Sequence, residues 1–119
     1  MKKLLAFLLL LPALAFAQHG GAQLERAPID AHDKFSLQRG AAIFVNHCLN
    51  CHSASAMRYK RLEDLGLTEA QIHDDLLFTT EKVGETMAAS QDAKISKAAF
   101  GVVPPDLSLV ARSRSPDWL

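Results

Sequence analysis

Thiols are scarce in this 119-residue chain: two cysteines, Cys48 and Cys51, with only each other as possible partners. That excludes a scaffold stapled by several disulfides. Net charge is lacking too. Thirteen basic side chains face thirteen acidic ones and no basic run exceeds two residues, which excludes an electrostatic footprint for nucleic acid. No run alternates like a half-buried strand, so the expected class is all-α. No acid–base pair or activated nucleophile is evident, so an independent catalytic site is not expected. The length leaves room for one small domain.

What is there begins with a leader-like segment. "MKK" is a positive start, "LLAFLLLLPALAF" is apolar, and "AFA" before "QHG" offers the small residues a signal peptidase reads. The apolar run falls short of the about 20 residues a membrane span needs. Residues 1–17 are therefore read as a signal peptide cleaved after Ala17. Its removal takes Lys2 and Lys3 with it, so acidic side chains outnumber basic ones by two. An exported chain works where free thiols do not last, and Cys48 and Cys51 need a fate.

Residues 18–35 read as an extended arm, rich in Gly, Ala and Pro through His32. Residues 36–119 form the domain proper. Leu37, Ala41, Phe44, Val45 and Cys48 recur as one face of a helix, with Ser36 as its expected N-cap. Cys48 and Cys51 come at the end of that helix, on one side. "MRYKRLEDLG" reads as a polar connector ending at Gly66. Thr68 and Gln71 have capping-box spacing and open a second helix with Ile72, Leu76 and Leu77 as its apolar face. "TEKVGETMAASQDAKISKAAFG" reads mostly as loop. "PPDLSLVARSR" reads as a proline-fixed turn and a short helix capped by Asp106. "SPDWL" has the grammar of a helix start, with Ser115 as cap and Pro116 at the first position. It gives the expectation that the chain is part of something longer, with Trp118 as the first core residue of the next helix.

The chemistry is concentrated in "NHCLNCHS". Two cysteines three apart can reach two vinyl groups on one porphyrin edge, and the adjacent imidazole can reach the iron from one face. Cys48 and Cys51 would be thioether-bonded and His52 would be the axial ligand, the spacing of c-type haem attachment. The competing readings fit less well. A zinc site wants four ligands, and no second pair exists while His19, His32, His47 and His73 are scattered. A thioredoxin-like dithiol would follow a strand in a βαβ unit. A lone disulfide across two residues leaves His52 unexplained.

With those residues in view, the sequence resembles the cytochrome c1 family, the haem subunit of quinol–cytochrome c oxidoreductase, from about Asp33 onward. The likeness rests on "RGAAIFVNHCLNCHS", "MRYKRLEDLGLT", "FTTEKVGETM" and above all "PPDLSLVARSR". The resemblance implies a cytochrome c-like haem domain with one covalent haem c. It also implies that Pro105 packs on the haem and Arg114 holds a propionate. It implies further an electron carrier rather than a catalyst. The donor would be the Rieske iron–sulfur protein, the neighbour cytochrome b and the acceptor a soluble cytochrome c, on the periplasmic side of the bacterial inner membrane. The family's methionine ligand and C-terminal membrane helix match nothing in this chain, and Ala99 and Phe100 stand where asparagines are frequent. Gly40 and Phe44, four apart, resemble the helix that a later helix crosses closely in such domains.

Two other functions stay open at this point. One is a small stand-alone periplasmic cytochrome with Met87 as sixth ligand, since Met57 is too close to His52 to leave its side of the ring. The other is a haem module that binds small ligands. Among lesser features, Glu63, Asp64, Glu69, Asp74 and Asp75 read first as a solvated face and second as a surface that steers a basic partner. Arg58 and Tyr59 read as connector residues, and Arg112 as a surface residue.

Overall fold

The computed structural model describes residues 23–119. The leader reading, His19 and the first residues of the arm lie outside them. Residues 23–30 have no regular structure and are largely exposed. Helix α1 spans Lys34–Ile43 and passes directly into one π-helical turn, Phe44–Cys48. Strand β1, Ala54–Arg58, leads into a 3-10 turn, Tyr59–Leu65, and then helix α2, Glu69–Leu76. The two-residue strand β2, Thr86–Met87, precedes helix α3, Ala93–Phe100. Helix α4, Val110–Ser113, and a last 3-10 turn, Pro116–Trp118, complete the order.

Helix α1 forms as its periodicity demands, with one correction at its start. Asp33, not Ser36, is the N-cap: its carboxylate accepts from Ser36 N at 3.0 Å. Ser36 sits at the third helical position, where its own N–H is one of the orphan donors a cap must satisfy. The expected face holds. Val45 is buried and Leu37, Ala41, Phe44 and Cys48 are half-buried, while Phe35, Arg39 and Ile43 face outward.

The all-α expectation needs amendment. The domain is mainly helical, but β1 and β2 pair antiparallel with Ala54 opposite Met87 and Arg58 opposite Thr86. The ladder continues irregularly, Tyr59 N to Glu85 O at 3.2 Å and Lys60 N to Val83 O at 2.8 Å. Strands of five and two residues are too short to display an alternating pattern.

The polar connector also needs correcting. It carries Tyr59, fully buried, with its hydroxyl 2.8 Å from Thr79 Oγ1, and Leu62, also buried. A tyrosine can enter a core when its hydroxyl finds a partner, and here Thr79 is that partner. With Val45, Leu49, Ala54, Ile72, Leu76 and Met87 these two form the hydrophobic core. Gly66 ends the 3-10 turn at φ 90°, a conformation that favours glycine. The capping box at Thr68 and Gln71 is present as expected, with both reciprocal bonds made.

Residues 93–100, expected as loop, are helical. Asp92 caps α3 by accepting from Lys94 N at 2.7 Å and Ile95 N at 3.3 Å, and Gly101 closes it at φ 75°. Among the described residues no helix is long and apolar enough to cross a membrane.

Candidate haem-attachment site

The π turn is where the site begins. Leu49 N reaches back five residues to Phe44 O at 2.9 Å, so the helix widens by one residue just before its sulfur chemistry. The chain then tightens around Cys48, whose carbonyl accepts from Cys51 N at 3.1 Å and His52 N at 2.8 Å. Both cysteines are free thiols and half-buried. The Cys51 thiol faces Gln91 Oε1 at 3.5 Å.

A second layer is wrapped round the turn from later in the chain. Ser90 N donates to Leu49 O at 3.2 Å, Gln91 N to Asn50 O at 3.1 Å and Ala89 N to Ser53 Oγ at 2.9 Å. Leu107 N donates to Ser53 O at 2.7 Å from the other side. The backbone of the motif is thus held by two later segments, residues 89–91 and Leu107.

The informative contact is at His52. Its Nδ1 lies 2.8 Å from the backbone oxygen of Pro105. A carbonyl oxygen can only accept, so Nδ1 carries the proton and Nε2 keeps its lone pair for a metal. This is how metal-binding imidazoles are oriented, with one nitrogen tied to a carbonyl or carboxylate. The resemblance implies a packing role for Pro105; the structure shows a contact through its main chain, the carbonyl on the His52 imidazole. No residue type could have announced this, because the group belongs to the main chain.

Asp106 does not cap α4. Helix α4 follows Leu109 with no side-chain cap, and the Asp106 carboxylate accepts from Ser108 N and from Ser55 N, each at 2.8 Å. Desolvation by its surroundings raises the carboxyl's pKa, but hydrogen bonds from Ser108 and Ser55 outweigh it and hold the group well below its ordinary 3.8. A lowered folded-state pKa means the ionised group stabilises the fold fully above the ordinary carboxylate range. That contribution is lost as pH falls below it. The melting temperature of the wild type is therefore expected to drop more steeply than that of Asp106→Asn as pH is lowered from about 5 to about 2, read by circular dichroism.

Arg114 is exposed at the end of α4, its guanidinium carbon 4.9 Å from the centre of the Trp118 ring. Trp118 under this cation–π contact is 49% exposed. Ser115 precedes the last 3-10 turn with φ 85° and makes no side-chain cap; Asp117 instead accepts from Ala27 N at 2.8 Å, tying the arm to the far end of the chain. Met87 is 3% exposed and packed in the core, with its backbone opposite Ala54, two residues past His52. Its placement is that of a core residue. Of the acidic neighbourhood, Asp64 pairs with Arg61 at 2.6 Å and Asp74 lies 2.9 Å from His73, both on the surface, where such pairs contribute little.

An apolar cavity of about 380 Å³ lies alongside, lined by Leu37, Gly40, Phe44, Leu65, Met87 and Leu107 among others. A Cβ built on Gly40 would meet nothing within 4 Å, so α1 presents an open glycine there. Among the described residues no three His, Cys, Asp or Glu side chains converge as a metal-binding group. The donor set of the site is two thiols and one oriented imidazole, which suits a group that brings its own equatorial ligands. Haem is such a group, and these residues fit it.

A mainly helical domain folded round one Cys-x-x-Cys-His turn, its imidazole tied to a carbonyl, defines the class of c-type cytochromes. Within that class the chain belongs to the cytochrome c1 family: the family model described as "Cytochrome C1 family" matches residues 24–118. Similar proteins include the cytochrome c1 of Allochromatium vinosum, 48% identical over 122 residues that cover 100% of this chain and 50% of that protein. A protein named ammonia monooxygenase gamma subunit, from Nitrosomonas europaea, is 48% identical over 118 residues, 99% of this chain and 50% of its own length. The cytochrome c1 of Rhodospirillum rubrum is 30% identical over 84% of this chain and 45% of its own length. The chain thus spans about half the length of the curated relatives it matches.

Proposed function

We propose that this chain carries the covalent haem of a cytochrome c1-type electron-transfer subunit, passing electrons from a Rieske iron–sulfur protein to a soluble cytochrome c beside cytochrome b. Cys48 and Cys51 hold the haem through thioethers and His52 Nε2 binds the iron. Pro105 packs near the ring and Arg114 serves a propionate. The work is done on the periplasmic face of the inner membrane after export by residues 1–17. The observation that carries this reading is the 2.8 Å contact between His52 Nδ1 and Pro105 O, which leaves the other ring nitrogen free on a turn that also presents two thiols.

Haem c, when bound, supplies one-electron exchange between ferric and ferrous iron. The chain's own residues do the rest. The thiols of Cys48 and Cys51 fix position, so electron transfer needs no dissociable cofactor. The Nδ1–H to Pro105 bond fixes the orientation of the imidazole and raises the basicity of Nε2. Residues 89–91 and 105–108 keep the turn from opening. No proton-transfer group or nucleophile is required, and the role is that of a carrier subunit.

Expression of the intact gene product with a haem-attachment system tests the reading. A mass exceeding that of the polypeptide by one haem, with Soret absorption that survives denaturation, is the expected result. A mass equal to that of the amino acids alone, with no Soret band, rejects it. Rapid carbon monoxide binding by the ferrous form would favour the ligand-binding alternative over electron transfer.

A further inference from the structure

Pro105 presents the carbonyl that orients His52, yet proline has no N–H with which its own backbone could be anchored. Pro105 is exposed, and among the described residues its oxygen meets only the imidazole. Something beside it must hold that carbonyl in place. Asp106 is next in the chain, and its two carboxylate oxygens take N–H groups from two different segments. Oδ1 accepts from Ser108 N within the 105–108 turn, and Oδ2 accepts from Ser55 N just past His52. The same seam is closed by Leu107 N on Ser53 O at 2.7 Å and by Ala56 N on Ser108 Oγ at 2.9 Å.

We infer that Asp106 is a positioning residue for the His52 imidazole: by bridging Ser55 and Ser108 it laces residues 105–108 to residues 53–56 and keeps the Pro105 carbonyl on Nδ1. The inference rests on the haem reading proposed above. An ionised carboxylate suits the position because both of its partners are donors and it can only accept. Asparagine keeps one accepting oxygen and turns an amide donor toward the other N–H, so one bond is lost. Alanine loses both. Hydrogen bonds to a charged group are the stronger ones, so losing both loosens this seam more than losing one.

The consequence at the iron follows from the imidazole. While Nδ1–H donates to a carbonyl, Nε2 is the more electron-rich and favours the ferric state. Slackening that bond removes electron density from Nε2, raises the reduction potential and exposes the Nδ1 proton to exchange.

The test uses the intact haem-loaded protein with Asp106→Ala and Asp106→Asn. Two readouts are followed, the reduction potential and the exchange rate of the His52 Nδ1 proton by NMR. The expected result is a potential raised in both variants, more in Asp106→Ala, with Nδ1–H exchange faster by about tenfold in Asp106→Ala and by less in Asp106→Asn. Lowered melting temperatures with potential and exchange both at wild-type values would overturn the inference, because that is what a merely structural bridge predicts. Should Asp106→Ala fail to mature, Asp106→Asn carries the same two readouts. A wild-type protein without covalent haem would instead reject the underlying haem reading, an outcome the wild-type spectrum alone distinguishes.

Discussion

Replacing Cys48 and Cys51 together by serine is expected to abolish covalently held haem, so that a denaturing gel stained for haem peroxidase shows no band. Each single replacement is expected to keep one thioether and a fainter band, with the alkaline pyridine haemochrome absorption moved toward that of a haem with one vinyl group intact. The expectation comes from the geometry of the turn. Cys51 N and His52 N share the Cys48 carbonyl at 3.1 and 2.8 Å, which holds both thiols and the imidazole in one short turn. Serine preserves that backbone and its size but forms no thioether, so the change isolates the bond itself. The competing chemistries predict other outcomes. A redox dithiol would lose its reactive disulfide without losing any pigment, and a zinc site would release metal that the wild type had bound stoichiometrically. Loss of haem with the fold otherwise intact, seen as an unchanged far-ultraviolet circular dichroism spectrum of the chain's helices, separates the covalent reading from both. Full retention of the haem band in the double variant would overturn it.

How far the sequence announced this structure depends on where the determining groups reside. Side chains with a period or a spacing were legible: the α1 face from Leu37 to Cys48, the capping box of Thr68 and Gln71, and the Cys48, Cys51, His52 constellation. What escaped was set by main-chain partners or by distant segments. The Pro105 carbonyl on His52 is invisible in a list of residue types, and so is the bridge from Asp106 to Ser55, which closes across 51 positions. Tyr59 sat in a run of charged residues, and only Thr79, 20 positions later, makes its burial tolerable. The small sheet was missed because its strands are shorter than any pattern that could reveal them. Helix α3 is a different case. Asp92 ahead of "AKISKAAFG" is an N-cap, an eight-residue body and a terminal glycine, and the start and stop grammar was there to be read. The abundance of small and polar residues around it obscured that grammar.

Ile72→Ala is expected to destabilise the domain by about 2–5 kcal/mol, measured as a lowered urea midpoint of the haem-loaded protein. Ile72 is 0% exposed, on the inner face of α2, and among the described residues it belongs to a core of eight buried apolar residues. Total stability of a domain is about 5–15 kcal/mol, so the loss is a large share of what holds the fold. Ile72→Val removes one methylene and leaves the shape, and about 0.5–1.5 kcal/mol is expected for it. The pair makes the prediction specific to packing, since both variants keep every hydrogen bond of the haem-attachment turn. The reduction potential should therefore stay at its wild-type value in each, in contrast to the Asp106 variants, whose effect runs through the imidazole. A core variant that moved the potential as much as Asp106→Ala would show that packing, rather than the bridge to Ser55, sets the position of His52.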